Sequence, residues 1–220
     1  MIKDAIILLS GGLDSLVSLG LVRNNYGKML ALTFDYGQKS VRDEIEASSK
    51  ICDYYKIKHK IITLDWLKEI TNTALVSENC VPTDIEDFNK SMEAVWVPNR
   101  NGLFLNIAGS FADAYHYQDI IIGANSEEGQ TFPDNTQEFT DCVTAEFAYS
   151  TLVRPKVIAP LINYSKNDIV EKALENKIPL ELVKSCYVGG TKHCGKCESC
   201  LRLKHALEYN GADEYIKLLF

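Results

Sequence analysis

Apolar positions along the chain fall first into short unbroken runs, then into helical stripes. Residues 5–9 (AIILL) form a continuous apolar run that stops at Ser-Gly-Gly. A run without polar alternation suits a strand covered on both faces. Residues 13–22 carry Leu13, Leu16, Val17, Leu19 and Leu21, which reads as a buried helix closed by Tyr26-Gly27. Residues 29–34 (MLALTF) make a second run, ended by Asp35-Tyr36-Gly37. Across residues 42–55, Ile45, Ser48, Ser49 and Cys52 share one side while charges take the other, the stripe of an amphipathic helix. Residues 60–64 (KIITL) predict a third strand. Strand, helix, strand, helix, strand with short links calls for a parallel sheet with right-handed crossovers.

The rhythm breaks over residues 71–95, a polar stretch holding Pro82, Asp84, Glu86 and Asp87, read as a surface insertion placed to act as a lid. Residues 101–117 return to a helix with Leu103, Phe104, Ile107, Ala108 and Phe111 inward. A fourth strand is expected at 119–123 (DIIIG), a polar loop at 125–136, a helix at 137–149 and a fifth strand at 157–161. A helix over 165–176 takes Ser165 as N-cap and Asp168 as its third residue. The tail from Pro179 gathers cysteines and then a helix through Tyr209. The fold class is therefore α/β, one parallel sheet with helices on both faces. Residues 1–178 form the main domain with its 71–95 insertion, and 179–220 form a segment packed on it.

Composition narrows the function. The chain has 220 residues, 46% hydrophobic and 24% charged, ordinary globular usage for one domain. Lys plus Arg is 23 against 30 Asp plus Glu, a net charge of −7, which disfavours a grip on long nucleic acid. Small anions stay open, because a helix N-terminus supplies local positive potential. No apolar run approaches the roughly 18 residues of a membrane span. The first apolar stretch is short, follows Asp4 and lacks a small-residue cleavage site, so it reads as a strand rather than a secretory signal. Seven cysteines, four of them within 186–200, point to a reducing, cytoplasmic setting and a metal site.

Three constellations carry chemistry. Ser10-Gly11-Gly12-Leu13-Asp14-Ser15 links the first strand to the first helix, where α/β sheets bind ligands. Unpaired N–H groups of the first helical turn, two glycines and two hydroxyls fit a phosphate or pyrophosphate. The order of residues fits neither the dinucleotide fingerprint nor the Walker loop. The alternative is a tight turn in which Gly serves geometry and Ser caps the helix. Asp35, Tyr36 and Gln38 end the second strand in the same row, either lining a ligand or forming a plain turn. In Val97-Pro98-Asn99-Arg100-Asn101, Pro98 forces an extended entry and Asn99 or Asn101 caps the next helix. Arg100 then lies beside helix N–H groups, placed for a carboxylate or phosphate, or else is a surface residue.

Cys186, Cys194, Cys197 and Cys200 read C-x7-C-x2-C-x2-C. Four thiolates meet the tetrahedral demand of zinc and leave no open position, so the site is structural and its binding energy becomes folding energy. Disulfides and an iron–sulfur cluster are the rivals; the C-x3-C-P continuation of a ferredoxin run is missing. His193 stands beside Cys194 but four cysteines suffice. Cys52 is expected in the core, and Cys80 and Cys142 are scattered.

SGGLDS resembles the pyrophosphate loop of the ATP pyrophosphatases, which implies ATP, with magnesium organised by Asp14. SGGLDS, DYGQ, VPNRN and SCY with C-x7-C-G-x-C-x2-C, in this order, resemble the 7-cyano-7-deazaguanine synthase family across essentially the whole chain. The resemblance implies a Rossmann-like, adenine nucleotide α-hydrolase-like sheet, a structural zinc and a homodimer. It further implies adenylation of the carboxylate of 7-carboxy-7-deazaguanine, capture by ammonia, and ATP-driven dehydration of the amide to the nitrile that feeds queuosine or archaeosine. On this basis Ser10, Gly11, Gly12, Leu13, Asp14, Ser15, Thr33 and Asp35 are expected at the nucleotide. Ser10, Asp14, Ser15 and Arg100 are expected to act in catalysis. Tyr36, Gln38, Asn99, Arg100, Asn101, Glu127, Glu128 and Asp134 are expected at the deazapurine. One stretch departs from the family's Pro-Asp-Cys-Arg-Pro-Glu-Phe run: Pro133, Asp134, Glu138 and Phe139 match, while Asn135, Thr136 and Gln137 replace Cys, Arg and Pro. That departure opens a second reading, transfer of the same acid to another amine, for instance on a protein; a nucleotide-binding module without catalysis is a separate alternative.

Overall fold

The computed structural model describes residues 2–77 and 94–220. Among these, β1 (Ala5–Leu8), β2 (Met29–Asp35), β3 (Lys58–Thr63), β4 (Asp119–Ile121) and β5 (Lys156–Ile158) form one sheet. Its order is β3-β2-β1-β4-β5, with every neighbouring pair parallel. The helices are α1 (Leu13–Val22), α2 (Val41–Tyr55), α3 (Asp65–Glu69), α4 (Arg100–Tyr115) and α5 (Ser126–Gly129). They continue with α6 (Gln137–Ser150), α7 (Lys166–Glu175), α8 (Glu198–Tyr209) and α9 (Asp213–Leu219). The expected fold class holds.

β1 is central, with Ala5 opposite both Met29 and Asp119. Its alternating side chains enter two cores. Ile6 and Leu8 pack with Phe34, Phe104, Leu105 and Phe147, whereas Ala5, Ile7 and Leu9 pack with Leu16, Leu19, Ile169, Leu203 and Leu207. Burial on both faces is why the run shows no alternation. Residues of α8 and α9 thus share a core with α1 and α7. The strand order reverses between β1 and β4, which opens a crevice at their carboxyl ends, the position where open α/β sheets bind ligands.

The differences from the sequence-based expectation lie at edges and in short pieces. β3 begins at Lys58, two residues before its apolar run, because it is a half-exposed edge whose lysines face water. β5 ends at Ile158 rather than at 161. The expected loop over 125–136 contains α5 and a 3-10 turn, Pro133–Asn135; α3 and α9 are likewise additional. Helices of four to seven residues hold too few turns for a periodic stripe. The lid expected within 71–95 falls largely on residues 78–93, outside the described residues. Its flanks meet, the Ala74 N–H donating to the Ala94 carbonyl at 2.8 Å. No helix among the described residues is long and apolar enough to cross a membrane.

The cap of α7 fixes the place of Lys166, the first residue of that helix. Ser165 Oγ accepts the Asp168 N–H at 3.2 Å, and the Asp168 carboxylate accepts the Ser165 N–H at 2.8 Å. These bonds, the Ser165 hydroxyl first, hold the Asp168 carboxyl below the usual aspartate range. Support of this sign is present above the unfolded-state pKa and lost as pH falls through the depressed folded value. Ser165→Ala is expected to lower stability by about 1 kcal/mol at pH 7, seen as a lower urea midpoint with an unchanged slope. The gap between variant and wild type should narrow in acid.

Candidate active site at the carboxyl ends of the strands

The chain leaves β1 through a turn that only glycine can make. Gly11 has φ +82°, and a Cβ there would stand 2.8 Å from Ala47 Cβ on α2. Gly12 occupies the N-cap position of α1 without a side-chain cap bond. Ser10 Oγ accepts the Gly12 N–H at 3.3 Å, and the Ser15 hydroxyl donates to the Gly12 carbonyl at 3.1 Å. From the neighbouring strand, Gly123 passes so close that a Cβ would lie 2.9 Å from Asp14 C and Ser15 N. Loop and crevice are therefore in direct contact.

Beside the loop is a compact charge cluster. Lys166 Nζ lies 2.6 Å from Asp14 Oδ2 and 2.7 Å from Glu128 Oε1. The other Asp14 oxygen is buried without a hydrogen-bond partner. Burial pushes the Asp14 carboxyl up to about 6, with Lys166 opposing and Glu128 adding to the rise. Burial also acts upward on Glu128, but the Lys166 charge and hydrogen bond outweigh it and hold that carboxyl low. Burial acts downward on Lys166, yet its two carboxylates keep the ammonium strongly favoured. Glu127 stands behind: Oε1 accepts the Lys166 backbone N–H at 2.7 Å, and Oε2 pairs with Arg202 at 3.2 Å. Arg202 also pairs with Glu198 at 2.7 Å.

The opposite wall is built on α4 and β2. Arg100 is the first residue of α4, entered through Asn99 at φ 51°. It faces Tyr36 and Asp134, which outweigh burial and strengthen its charge. Burial pushes up the Tyr36 phenol and the Asp134 carboxyl, and Arg100 opposes both shifts. Glu44 is a further, half-buried acid, taking hydrogen bonds from Ser40 Oγ at 2.5 Å and Gln38 Nε2 at 2.9 Å. Trp96 and Phe132 lie nearly parallel, with ring centroids 5.9 Å apart. Both walls line one cavity of about 260 Å³.

The cavity brings together Ser10, Gly12, Leu13, Asp14, Ser15, Tyr36, Gln38, Arg100, Asn101, Glu128 and Asp134, all singled out in the sequence. Others lie off its wall. Thr33 is buried, its hydroxyl donating to the Leu9 carbonyl at 2.6 Å and bonded to His59 at 2.8 Å. Asp35 folds back to accept the Gly37 N–H at 3.1 Å. Gly11 turns its carbonyl to the Lys184 N–H, and Glu127 acts from behind. The expected asparagine cap of α4 is corrected. Asn99 makes no side-chain cap bond because the chain enters in the left-handed region, and Asn101 is inside the helix, its amide near the Asp134 carbonyl at 3.4 Å. Residues not singled out include Lys166, Glu44, Trp96, Lys184, Ser185 and Tyr187. For Lys166 a signal existed: it follows the cap of a helix that follows a parallel strand, so it must sit in the row of strand ends.

The four cysteines Cys186, Cys194, Cys197 and Cys200 converge, their sulfurs all within 4.8 Å of one another. All four are free thiols, so the disulfide alternative fails. Cys194 Sγ and Cys200 Sγ are 3.8 Å apart, the edge of a tetrahedron whose metal–sulfur distance is about 2.3 Å. The donor set fits a single ion; a multi-iron cluster needs space of its own between the thiolates. His193 is outside the set, its ring bonded to the Ser185 N–H at 3.0 Å and the Leu219 carbonyl at 3.2 Å. Cys52 is in the core as expected, Cys142 is exposed, and Cys80 lies outside the described residues.

Sheet order, loop and crevice define the class: an adenine nucleotide α-hydrolase-like fold. NMN synthetase from Francisella tularensis shares it (TM-score 0.53, 17% identity, covering 100% of this chain and 88% of that one). So does the NH3-dependent NAD synthetase from Campylobacter jejuni (TM-score 0.51, 15% identity, 99% and 79%). Within that class the chain belongs to the family described as Queuosine biosynthesis protein QueC, whose sequence profile matches residues 4–211. Curated relatives are the 7-cyano-7-deazaguanine synthases of Methanosarcina barkeri (44% identical, covering 96% of both chains) and Carboxydothermus hydrogenoformans (50% identical, covering 93% of this chain and 98% of that one).

Proposed function

We propose that the chain is an ATP-dependent C–N ligase that converts 7-carboxy-7-deazaguanine and ammonia to 7-cyano-7-deazaguanine. One observation carries this reading: the Ser10–Ser15 loop with Lys166, and the Arg100–Asp134 wall with its aromatic rings, face each other across a single cavity. A carboxylate is a poor electrophile because its leaving group would be oxide. Transfer of AMP to one oxygen, with pyrophosphate released, makes AMP the leaving group. Ammonia then adds to the carbonyl carbon, loses a proton and expels AMP as the amide forms. A second ATP adenylates the amide oxygen, and loss of AMP and two N–H protons leaves the nitrile.

In this scheme no side chain acts as a covalent nucleophile; the protein positions anions and offsets charge. The first-turn N–H groups and the Ser10 and Ser15 hydroxyls hold the departing pyrophosphate. Lys166 balances its charge and keeps Asp14 and Glu128 apart. The partnerless Asp14 oxygen is a fit for a hard cation, so Asp14 would hold magnesium, which neutralises triphosphate charge when bound. Arg100 orients the substrate carboxylate, and Asp134 accepts hydrogen bonds from the N–H edge of the deazapurine, which Trp96 and Phe132 flank. The four cysteines would hold zinc in a closed, non-catalytic site.

Product mass tests the reading. With ATP, magnesium, the acid and heavy-nitrogen ammonia, the expected product equals acid plus ammonia minus two waters and carries one heavy nitrogen. A product that has lost one water stops at the amide. Pyrophosphate release without any ammonia adduct would overturn the assignment.

A further inference from the structure

The segment that carries the cysteines does more than close the chain: it lies across the phosphate loop. The Lys184 N–H donates to the Gly11 carbonyl at 2.8 Å, and the Leu13 N–H donates to Ser185 Oγ at 3.2 Å. A Cβ on Gly12 would stand 3.7 Å from Ser185 Oγ. The contact is pinned from both sides. Cys186, the first of the four metal-type ligands, follows Ser185 directly, and the Ser185 N–H is held by His193 Nε2 at 3.0 Å, one residue before Cys194. Gly190 N–H reaches across to Asp43 Oδ2 on α2 at 2.6 Å. Lys184 Nζ folds back onto the Gly190 and Thr191 carbonyls of the same segment.

Ser185 Oγ accepts from the loop, and its own proton has no acceptor among the described residues. Ser185 and Lys184 both line the cavity. A hydroxyl with a free proton and an ammonium, beside unpaired helix N–H groups, form a second set of donors for the same anion.

We propose that Ser185 and Lys184 are the missing half of the phosphate site. The Ser185 hydroxyl donates to a phosphate oxygen of the nucleoside triphosphate and of departing pyrophosphate, Lys184 adds charge, and the four-cysteine site sets where both stand. This rests on the reading that the Ser10–Ser15 loop holds pyrophosphate. It makes the cysteine segment a functional part of the nucleotide site rather than a remote staple.

The test uses the full chain with its metal in place. Metal content, calorimetric binding of ATP and of inorganic pyrophosphate with magnesium, and separate KM values for ATP and the deazapurine acid are measured for wild type, Ser185→Ala, Ser185→Thr and Lys184→Met. Ser185→Ala is expected to keep its metal, bind pyrophosphate and ATP about tenfold more weakly, raise the ATP KM in proportion and leave the acid KM unchanged. Ser185→Thr restores most of the affinity, and Lys184→Met weakens pyrophosphate more in low salt than in high salt. Unchanged affinities in a metal-replete Ser185→Ala chain would overturn the proposal, as would an equal rise in both KM values. A wild-type chain whose pyrophosphate does not compete with ATP overturns the loop reading and this inference together.

Discussion

Lys166→Met is expected to cut ATP-driven pyrophosphate release by on the order of a thousandfold, the effect of deleting a charge aimed at a departing anion in a buried site. The ammonium is nearly enclosed and touches two carboxylates, at 2.6 and 2.7 Å. Without it, Asp14 and Glu128 confront each other and an incoming triphosphate meets net negative charge. Fold stability should fall less than activity. Asp14 is already pushed up to about 6, so one carboxyl can take a proton instead of bearing an unpaired charge. The double variant Lys166→Met/Asp14→Asn separates the two effects, since it relieves the repulsion without restoring the cation. It is expected to regain most of the lost denaturant midpoint and none of the pyrophosphate release. Lys166→Met with wild-type release would remove the lysine from the chemistry.

What could be read from the sequence depends on how far each signal reaches along the chain. The central strands were legible because β1 and β2 are buried on both faces, which writes continuous runs such as AIILL and MLALTF. The edge strand β3 was blurred because KHKIIT balances charges against apolar residues, as an exposed edge requires. The phosphate loop and the cysteine cluster were legible because each is local, a turn of six residues and four thiols within fifteen positions. The charge cluster was not, since Asp14, Glu128 and Lys166 come from three distant stretches and meet only when β1, β4 and β5 align their ends. The hydrogen bonds that join Ser185 and Lys184 to the loop were invisible for the same reason: the one in which the Leu13 N–H donates to Ser185 Oγ spans 172 positions. Asn99 shows the opposite failure. A residue type that favours helix caps stands at the cap position, but with a left-handed backbone there its side chain makes no cap hydrogen bond.

Cys197→Ala is expected to lose the bound metal and lower the melting temperature by on the order of 10 °C or more. Cys197, Cys200 and Cys186 are buried with Ala74 in a small cluster of their own, backed by Tyr187 and Phe220. Such a patch is too small to order residues 184–200 by apolar burial alone, and Val188, Gly189 and Gly190 add little to it. An ion held by the four thiolates would supply the ordering, and its binding energy would be folding energy. The loss should be regional. The sheet keeps its own two cores, so far-UV dichroism changes little, whereas the first turn of α8 loosens and with it Glu198 and Arg202. Arg202 then ceases to brace Glu127, which holds the backbone of Lys166. Nucleotide affinity should consequently fall together with the melting temperature, and a chelator acting on the wild-type chain should reproduce both. A metal-free chain that melts at the wild-type temperature and binds ATP as tightly would show that the cysteines fold without their ion. Visible absorption in the purified protein would replace zinc with an iron–sulfur cluster.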